Sequence, residues 1–261
     1  MPGSAHTVLR YCDLHCHLDF ADNARGLAND LNVYGVRCLS VTISPRGYER
    51  AKIILGECNN VRVGLGLHPW WVADGRCDET EVARFVALLA GTRFVGEVGL
   101  DFSQRHRAGF DVQLAAFNRV AAACAQGGKV LSLHAVRSAG QVLDVLERHD
   151  CFSNNACIFH WFSGTSEELQ RAVRQGCYFS VSERMLASRR GRAYVQAIPT
   201  KRLVLETDLP EEGVGAVSAS VLEASLQRAA DALSAVRGER LHELVAATGA
   251  ALLGEDAGTI V

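Results

Sequence analysis

Very little in this 261-residue chain would stiffen it, cross-link it or anchor it. Only five prolines occur, and no Pro-rich linker, low-complexity tract or charge block divides the sequence, which predicts one domain over residues 1–261. No apolar run approaches the ~18 residues that a membrane span needs, and no charged-then-apolar leader is present. Neither sign of charge is in excess, since 27 Lys plus Arg against 29 Asp plus Glu give a net charge of −2. A strongly basic nucleic-acid coat protein is thereby excluded, although a local basic cleft is not. Nine cysteines, an odd number, form no C-x-x-C pair. They fit buried thiols in a reducing compartment better than a disulfide framework. The expectation is a cytoplasmic protein with no membrane partner.

What the chain does contain is a rhythm. With 48% hydrophobic residues, short β-branched or aromatic runs recur, each followed by a stretch of helical periodicity. Strands are expected near Val8–Asp13, Cys38–Ile43, Val61–Leu67, Phe94–Val98, Val130–His134, Cys157–Phe159, Cys177–Val181 and Leu203–Glu206. Amphipathic helices are expected at Glu81–Ala90, Val112–Ala125, Ser138–Glu147 and Glu167–Arg174, with Val217–Val236 and Arg240–Leu253 closing the outer layer. Strands apolar enough for burial on both faces, alternating with helices, predict a parallel sheet under a helical coat. Eight such units at this length predict an α/β TIM (β/α)8 barrel. The alternative is an open, doubly wound sheet, whose commonest cofactor signature, G-x-G-x-x-G after the first strand, is missing.

Chemistry gathers where the strands end. In Asp13-Leu-His15-Cys16-His17-Leu-Asp19, alternate residues of an extended chain share a face. His15 and His17 then point one way and Cys16 the other. Two imidazoles so placed can share one metal ion, and Asp13 and Asp19 are expected to accept their second ring N–H bonds. One H-x-H could equally be structural. Matching residues nevertheless end four further strands: Glu97, His134, His160 and Asp208. In a barrel these ends converge on one mouth, which points to a shared metal site. Imidazole mixed with carboxylate suits zinc, manganese, iron or nickel, and makes an all-magnesium site less natural.

The ordered set Asp13-x-His15-x-His17, Gly66-x-His68-Pro69, Gly96-Glu97-x-Gly99-x-Asp101, His134-x-x-Arg137, His160-x-Phe162-x-Gly164 and Glu206-x-Asp208-x-Pro210 resembles the TatD family of metal-dependent deoxyribonucleases, from about residue 11 to residue 210. Within the family, Gly127–His134, His160–Gly164 and Gly176–Val181, followed by Met185, Leu186, Arg190 and Arg192, resemble the QatD subgroup of bacterial Qat antiphage systems. That finer likeness implies a role in antiphage defence, with Qat operon proteins as partners.

The family resemblance implies a metallo-dependent hydrolase barrel with two divalent metal ions per chain: zinc, manganese or magnesium. His15, His17 and Asp208 would hold one ion and His134 and His160 the other, with Glu97 bridging. Related amidohydrolases often bridge with a strand-four lysine. Here the lysines are Lys52, Lys129 and Lys201, and none ends that strand. Asp208 is expected to take a proton from the attacking water, which with Glu97 and Glu206 makes up the catalytic set. Glu206 is expected to orient His17 or a water, against a structural role as an arginine-paired interior carboxylate. His68 is implied to contact a substrate phosphate or move a proton. Arg137 is the leading phosphate-gripping candidate, since a guanidinium can grip a phosphate with two bonds. Arg184, Arg189, Arg190 and Arg192 form either a binding patch or a solvated face. Trp70, Trp71 and Trp161 either stack on bases or pack the rim.

The chain departs from the family after Pro210, where a usually longer loop is cut to Glu211–Gly215, and in the last helix, which lacks a common asparagine. An acidic, shortened loop is expected to grip DNA less well. The function expected is a metal-dependent DNA phosphodiesterase, exonucleolytic, acting on ends or single strands. Two alternatives stay open: a small-molecule amidohydrolase or deaminase using the same metal site, and a weakly active subunit that binds DNA or partners.

Overall fold

In the computed structural model, which describes residues 8–254, eight parallel strands close into a barrel in sequence order. They are β1 Tyr11–Cys16, β2 Val36–Val41, β3 Val61–Leu67, β4 Phe94–Asp101, β5 Val130–Val136, β6 Ala156–His160, β7 Tyr178–Val181 and β8 Leu203–Leu205. Closure in the order 1 to 8 is the expected (β/α)8 topology and excludes the open doubly wound sheet. The ends of the 1–261 domain expectation, residues 1–7 and 255–261, lie outside the described residues.

The helices are α1 Ala24–Val33, α2 Pro45–Leu55, α3 Pro69–Ala73, α4 Glu79–Leu89, α5 Phe110–Cys124, α6 Ala139–Arg148, α7 Cys151–Asn154, α8 Ser166–Arg174, α9 Glu183–Ala187, α10 Arg189–Ala197, α11 Ala219–Arg237 and α12 His242–Leu253. Local chemistry starts many of them. Asp78 accepts from the backbone N–H groups of Thr80 and Glu81 ahead of α4. Thr165 and Glu168 form a reciprocal capping box on α8, which satisfies two otherwise orphaned donors. None of the described helices is long and apolar enough to cross a membrane.

The main core lies between barrel and helical coat, with Phe85, Phe117, Phe159 and Phe179 fully buried. A second cluster packs Leu252 and Leu253, at the end of α12, against Phe94 and Val130, the first residues of β4 and β5. The last helix therefore covers the end of the barrel where the strands begin, and the opposite mouth is left for chemistry. β1 begins at Tyr11 rather than Val8, so His15 lies within the strand and His17 directly after it. β4 runs on to Asp101, three residues past its expected end. The pairing of β4 with β5 shifts register between Val95 and Val98, and such irregularities re-aim side chains. Glu97 sits inside that shift. Gly99, at φ +143°, lies so close to β5 that a Cβ there would fall 2.0 Å from the His134 carbonyl oxygen.

Candidate metal centre

Glu97, buried in mid-β4, is the hub. Its Oε2 faces His15 Nε2 at 3.5 Å and His17 Nε2 at 3.6 Å. Asp208 Oδ1 approaches the same two nitrogens at 3.6 and 3.4 Å. The other oxygen, Glu97 Oε1, faces His134 Nδ1 at 2.5 Å and both His68 Nε2 and His160 Nε2 at 3.3 Å. Donor atoms close into three clusters: His15, His17 and Asp208; His15, Glu97 and His160; His68, Glu97 and His134. His134 and His160 thus meet at Glu97 Oε1 rather than at each other, with ring centroids 5.7 Å apart. The ring of His160 stacks instead on His15, at 3.9 Å.

Metal is tested by what these atoms otherwise do. His15 Nε2 is buried without a hydrogen-bond partner, which is costly for a polar atom. Separations of 3.4–3.6 Å are too long for good hydrogen bonds. They match the ~3.4 Å that separates tetrahedral ligands each about 2.1 Å from a shared ion. The His15, His17, Asp208 and Glu97 Oε2 set fits a divalent metal by this measure, whereas His134 bonds Glu97 Oε1 directly at 2.5 Å.

Surrounding groups fix which nitrogen faces inward. His15 Nδ1 lies 2.7 Å from Ser132 Oγ on β5, leaving Nε2 for the centre. His134 Nε2 lies 2.9 Å from Asp101 Oδ2, leaving Nδ1 for Glu97. Asp101 Oδ2 also accepts from Trp70 Nε1 at 2.6 Å, and its Oδ1 accepts from the Ser103 N–H at 2.8 Å. His68 caps α3, its Nδ1 accepting from the Trp70 N–H at 3.1 Å. A neutral His68 must then carry its proton on Nε2, so it presents a hydrogen-bond donor to the cavity rather than a metal-binding lone pair.

Burial alone would raise the Glu97 carboxyl, but His68, His15, His134 and His160 outweigh it and hold the group well below the carboxylate range. Asp208 is lowered in the same way, burial being outweighed by the neighbouring His17, His160 and His15 imidazoles. Burial lowers His15 to about 4. His160 goes the other way: burial would lower it, but Glu206 and Glu97 lift it well above the usual histidine value.

Several expectations are corrected here. Asp13 does not hold an imidazole. Its carboxylate accepts from the backbone N–H of His15 (3.2 Å) and from the N–H and hydroxyl of Thr207 (3.1 and 2.6 Å), tying β1 to the segment after β8. Asp19 Oδ1 and His17 Nδ1 are both without hydrogen-bond partners. Glu206 serves neither His17 nor an arginine, because its carboxylate turns toward β7 and β6. Its Oε2 accepts from Ser180 Oγ at 2.5 Å and stands 3.5 Å from His160 Nδ1. Ser132 and Asp101 are functional partners to which the sequence alone assigns no role. Asp101 had a usable signal, its even spacing from Glu97 along one strand.

Above the centre lies a cavity of about 590 Å³, lined by His17, His68, Glu97, His134, His160 and Asp208 together with Phe20, Trp70, Trp71, Trp161 and Arg184. Arg137 follows β5 at φ +54°, exposed and outside this lining. The arginines after β7 are dispersed by α9 and α10. Arg184 reaches the cavity, Arg190 is held by Tyr194 Oη and the Gly164 carbonyl, and Arg192 by the carbonyls of Leu186 and Ala187. Arg189 is exposed and outside the lining.

A family model described as TatD related DNase matches residues 12–252. A 3′-5′ ssDNA/RNA exonuclease TatD of Edwardsiella piscicida is 33% identical over 152 residues, covering 56% of this chain and 56% of that protein. A deoxyribonuclease Tat-D of Schizosaccharomyces pombe is 30% identical over 115 residues, covering 44% and 37%. The chain therefore matches about half, or less, of the length of these curated relatives. Among solved structures, YjjV, a TatD homolog from Escherichia coli K12, superimposes with a TM-score of 0.70 at 22% identity, over 94% of this chain and 95% of that one. The last is a likeness of fold.

Proposed function

This chain belongs to the TatD-related DNase family, and from that premise we propose that it is a cytoplasmic, metal-dependent phosphodiesterase that removes nucleotides from DNA ends or single strands. The observation that carries the proposal is Glu97, a buried carboxylate with histidines converging on both of its oxygens and a neighbouring imidazole nitrogen left without a partner. In this reading residues 1–261 form one catalytic domain. His15, His17 and Asp208 would hold one divalent ion and His134 and His160 a second, with Glu97 as the carboxylate between the two sets.

Bound divalent ions supply Lewis acidity, making water nucleophilic near neutral pH and offsetting charge on a phosphate. The remaining work falls to the chain's own groups. Asp208 lines the cavity with Oδ1 turned to His15 and His17, leaving Oδ2 to accept a proton. His68 presents Nε2–H to a phosphate oxygen. Since a neutral imidazole is a poor acid, this residue stabilises charge rather than transferring a proton. Glu206 faces His160 Nδ1 at 3.5 Å, an electrostatic rather than hydrogen-bonded contact. Trp70, Trp71 and Trp161 line the cavity as aromatic walls for a base, although His106 stacks on Trp70 and Arg76 lies over Trp71. Arg137 is exposed and outside the cavity lining, so the phosphate grip expected of it is not supplied within this cavity.

A role in antiphage defence, with Qat operon proteins as partners, is part of the proposal and rests on the sequence likeness of Gly127–His134, His160–Gly164 and Gly176–Val181 alone. The activity is tested with metal-loaded protein on end-labelled single- and double-stranded DNA, alone and with the operon partners. Release of nucleotides that D208N abolishes is the expected result. A metal-loaded protein that leaves DNA intact yet hydrolyses a cyclic amide or deaminates a base would overturn it in favour of amidohydrolase chemistry.

A further inference from the structure

The charge around the cavity mouth does not suit a long polyanion. A protein that grips a nucleic-acid strand neutralises its phosphates with lysine and arginine. Arg184 is the one lysine or arginine among the described residues lining this cavity, and it is paired with Glu211 at 3.3 Å. Glu211 and Glu212 both line the same mouth, beyond the two carboxylates at the metal centre. Arg190 and Arg192 are committed to backbone carbonyls nearby.

The segment that carries the two glutamates is held at both ends. At its start the His17 N–H donates to the Leu209 carbonyl at 2.8 Å. At its far end the Asp22 N–H donates to the Gly215 carbonyl at 3.1 Å. Asn23 then forms a reciprocal pair with Val217, its Nδ2 donating to the Val217 carbonyl and its Oδ1 accepting from the Val217 N–H, each at 2.9 Å. These bonds fix the ends of the backbone segment that carries the carboxylates at the mouth. The space below them, about 590 Å³, falls within the range for one small ligand, and its walls include Phe20, Trp70, Trp71 and Trp161.

Resting on the phosphodiesterase activity proposed above, we infer that the preferred substrate is a short nucleotide with a single phosphodiester, of dinucleotide size, and that Glu211 and Glu212 discriminate against longer strands. One phosphodiester charge is met by the metal centre. Each further phosphate of a longer strand must lie near an acidic rim with no unpaired lining cation to receive it.

All three tryptophans of the chain line this cavity, so intrinsic fluorescence reports its occupancy. The test titrates chelator-treated and manganese-loaded protein with thymidylyl-thymidine and with an oligothymidylate of about 15 nucleotides, and measures kcat/KM for both. The dinucleotide is expected to exceed the oligomer on the order of tenfold in kcat/KM and to bind more tightly. The E211Q/E212Q variant is expected to narrow that ratio about three- to tenfold, less so in about 0.5 M salt, where the rim charges are screened. A wild-type protein that binds and cleaves the oligomer as well as the dinucleotide, or a double variant that leaves the ratio unmoved, overturns the inference and leaves the phosphodiesterase reading standing. Failure to hydrolyse either substrate, or bis(p-nitrophenyl) phosphate, overturns both.

Discussion

Asp101→Asn removes one charge while changing almost no volume, and it should weaken one metal site and spare the other. The carboxylate is buried and serves three donors: His134 Nε2 and Trp70 Nε1 on Oδ2, and the Ser103 N–H on Oδ1. Asparagine offers a single acceptor oxygen. If that oxygen stays with Ser103, the amide N–H2 faces two donors; if it turns to His134 and Trp70, Ser103 is left unpaired. At least one charge-assisted bond is lost either way, at about 1.5–3 kcal/mol. Such a loss corresponds to the roughly 10–100-fold in affinity typical of removing the partner of a ligating histidine. Calorimetric titration of chelator-treated protein with manganese or zinc provides the assay. Binding at Glu97, His134 and His160 should weaken by about that factor. The ion at His15, His17 and Asp208, whose imidazoles are not held by Asp101, should stay within about threefold. Equal weakening of both sites, or of neither, would refute the reasoning that Asp101 acts through His134.

Two further outcomes follow from the same geometry. The double variant H134A/H160A should bind at most one divalent ion where the wild type binds two, measured by elemental analysis after gel filtration; unchanged stoichiometry would reject Glu97 as a bridge. The thiols should govern stability at high pH: no disulfide joins the nine buried cysteines among the described residues, and burial pushes Cys77, Cys124 and Cys177 up to about 12. A raised folded-state value keeps the proton on where the unfolded chain loses it. Stability is therefore fully present below the unfolded thiol pKa near 9 and is lost as pH climbs toward 12, by roughly 1 kcal/mol per thiol at pH 10. Urea titrations at pH 8 and pH 10 check this, and equal midpoints would contradict it.

How much of this could be read in the sequence depended on the range of the signal. The barrel was legible because its signal is local and repeated: each strand is a short apolar run buried on both faces, and eight of them alternate with helical periodicity. Boundaries were less so. β1 starts three residues later than expected: Val8 and Leu9 extend the apolar run, and only the pairing of Tyr11 with Val36 sets where the strand starts. The convergence of His15, His17, Glu97, His134, His160 and Asp208 was legible for a geometric reason, since parallel strands deliver their C-terminal ends to one mouth. Which partner holds which ring was not, because that depends on register across the barrel. Ser132 reaches His15 over 117 positions of sequence, and Asp13 is drawn away from the imidazoles by Thr207, 194 positions on.

The arginines mark the boundary between these two kinds of information. Arg184, Arg189, Arg190 and Arg192 read as one cluster because they are close in sequence, but a helix turns successive residues by about 100°, and two short helices meet at Ser188. One guanidinium is thereby sent to the cavity and two are folded back onto carbonyls. Composition counts such residues as a basic patch, whereas the helix determines how many can meet a phosphate. Glu211 and Glu212 are the reverse case: a near-neutral net charge hides them, but their place in the shortened loop after Pro210 shows them in the sequence. Their segment is tied to His17, Asp22 and Asn23 by backbone bonds, and both residues line the mouth of the barrel. On the proposed reading, the ligands decide whether phosphodiester chemistry is available, and the acidic rim decides how long a substrate can use it.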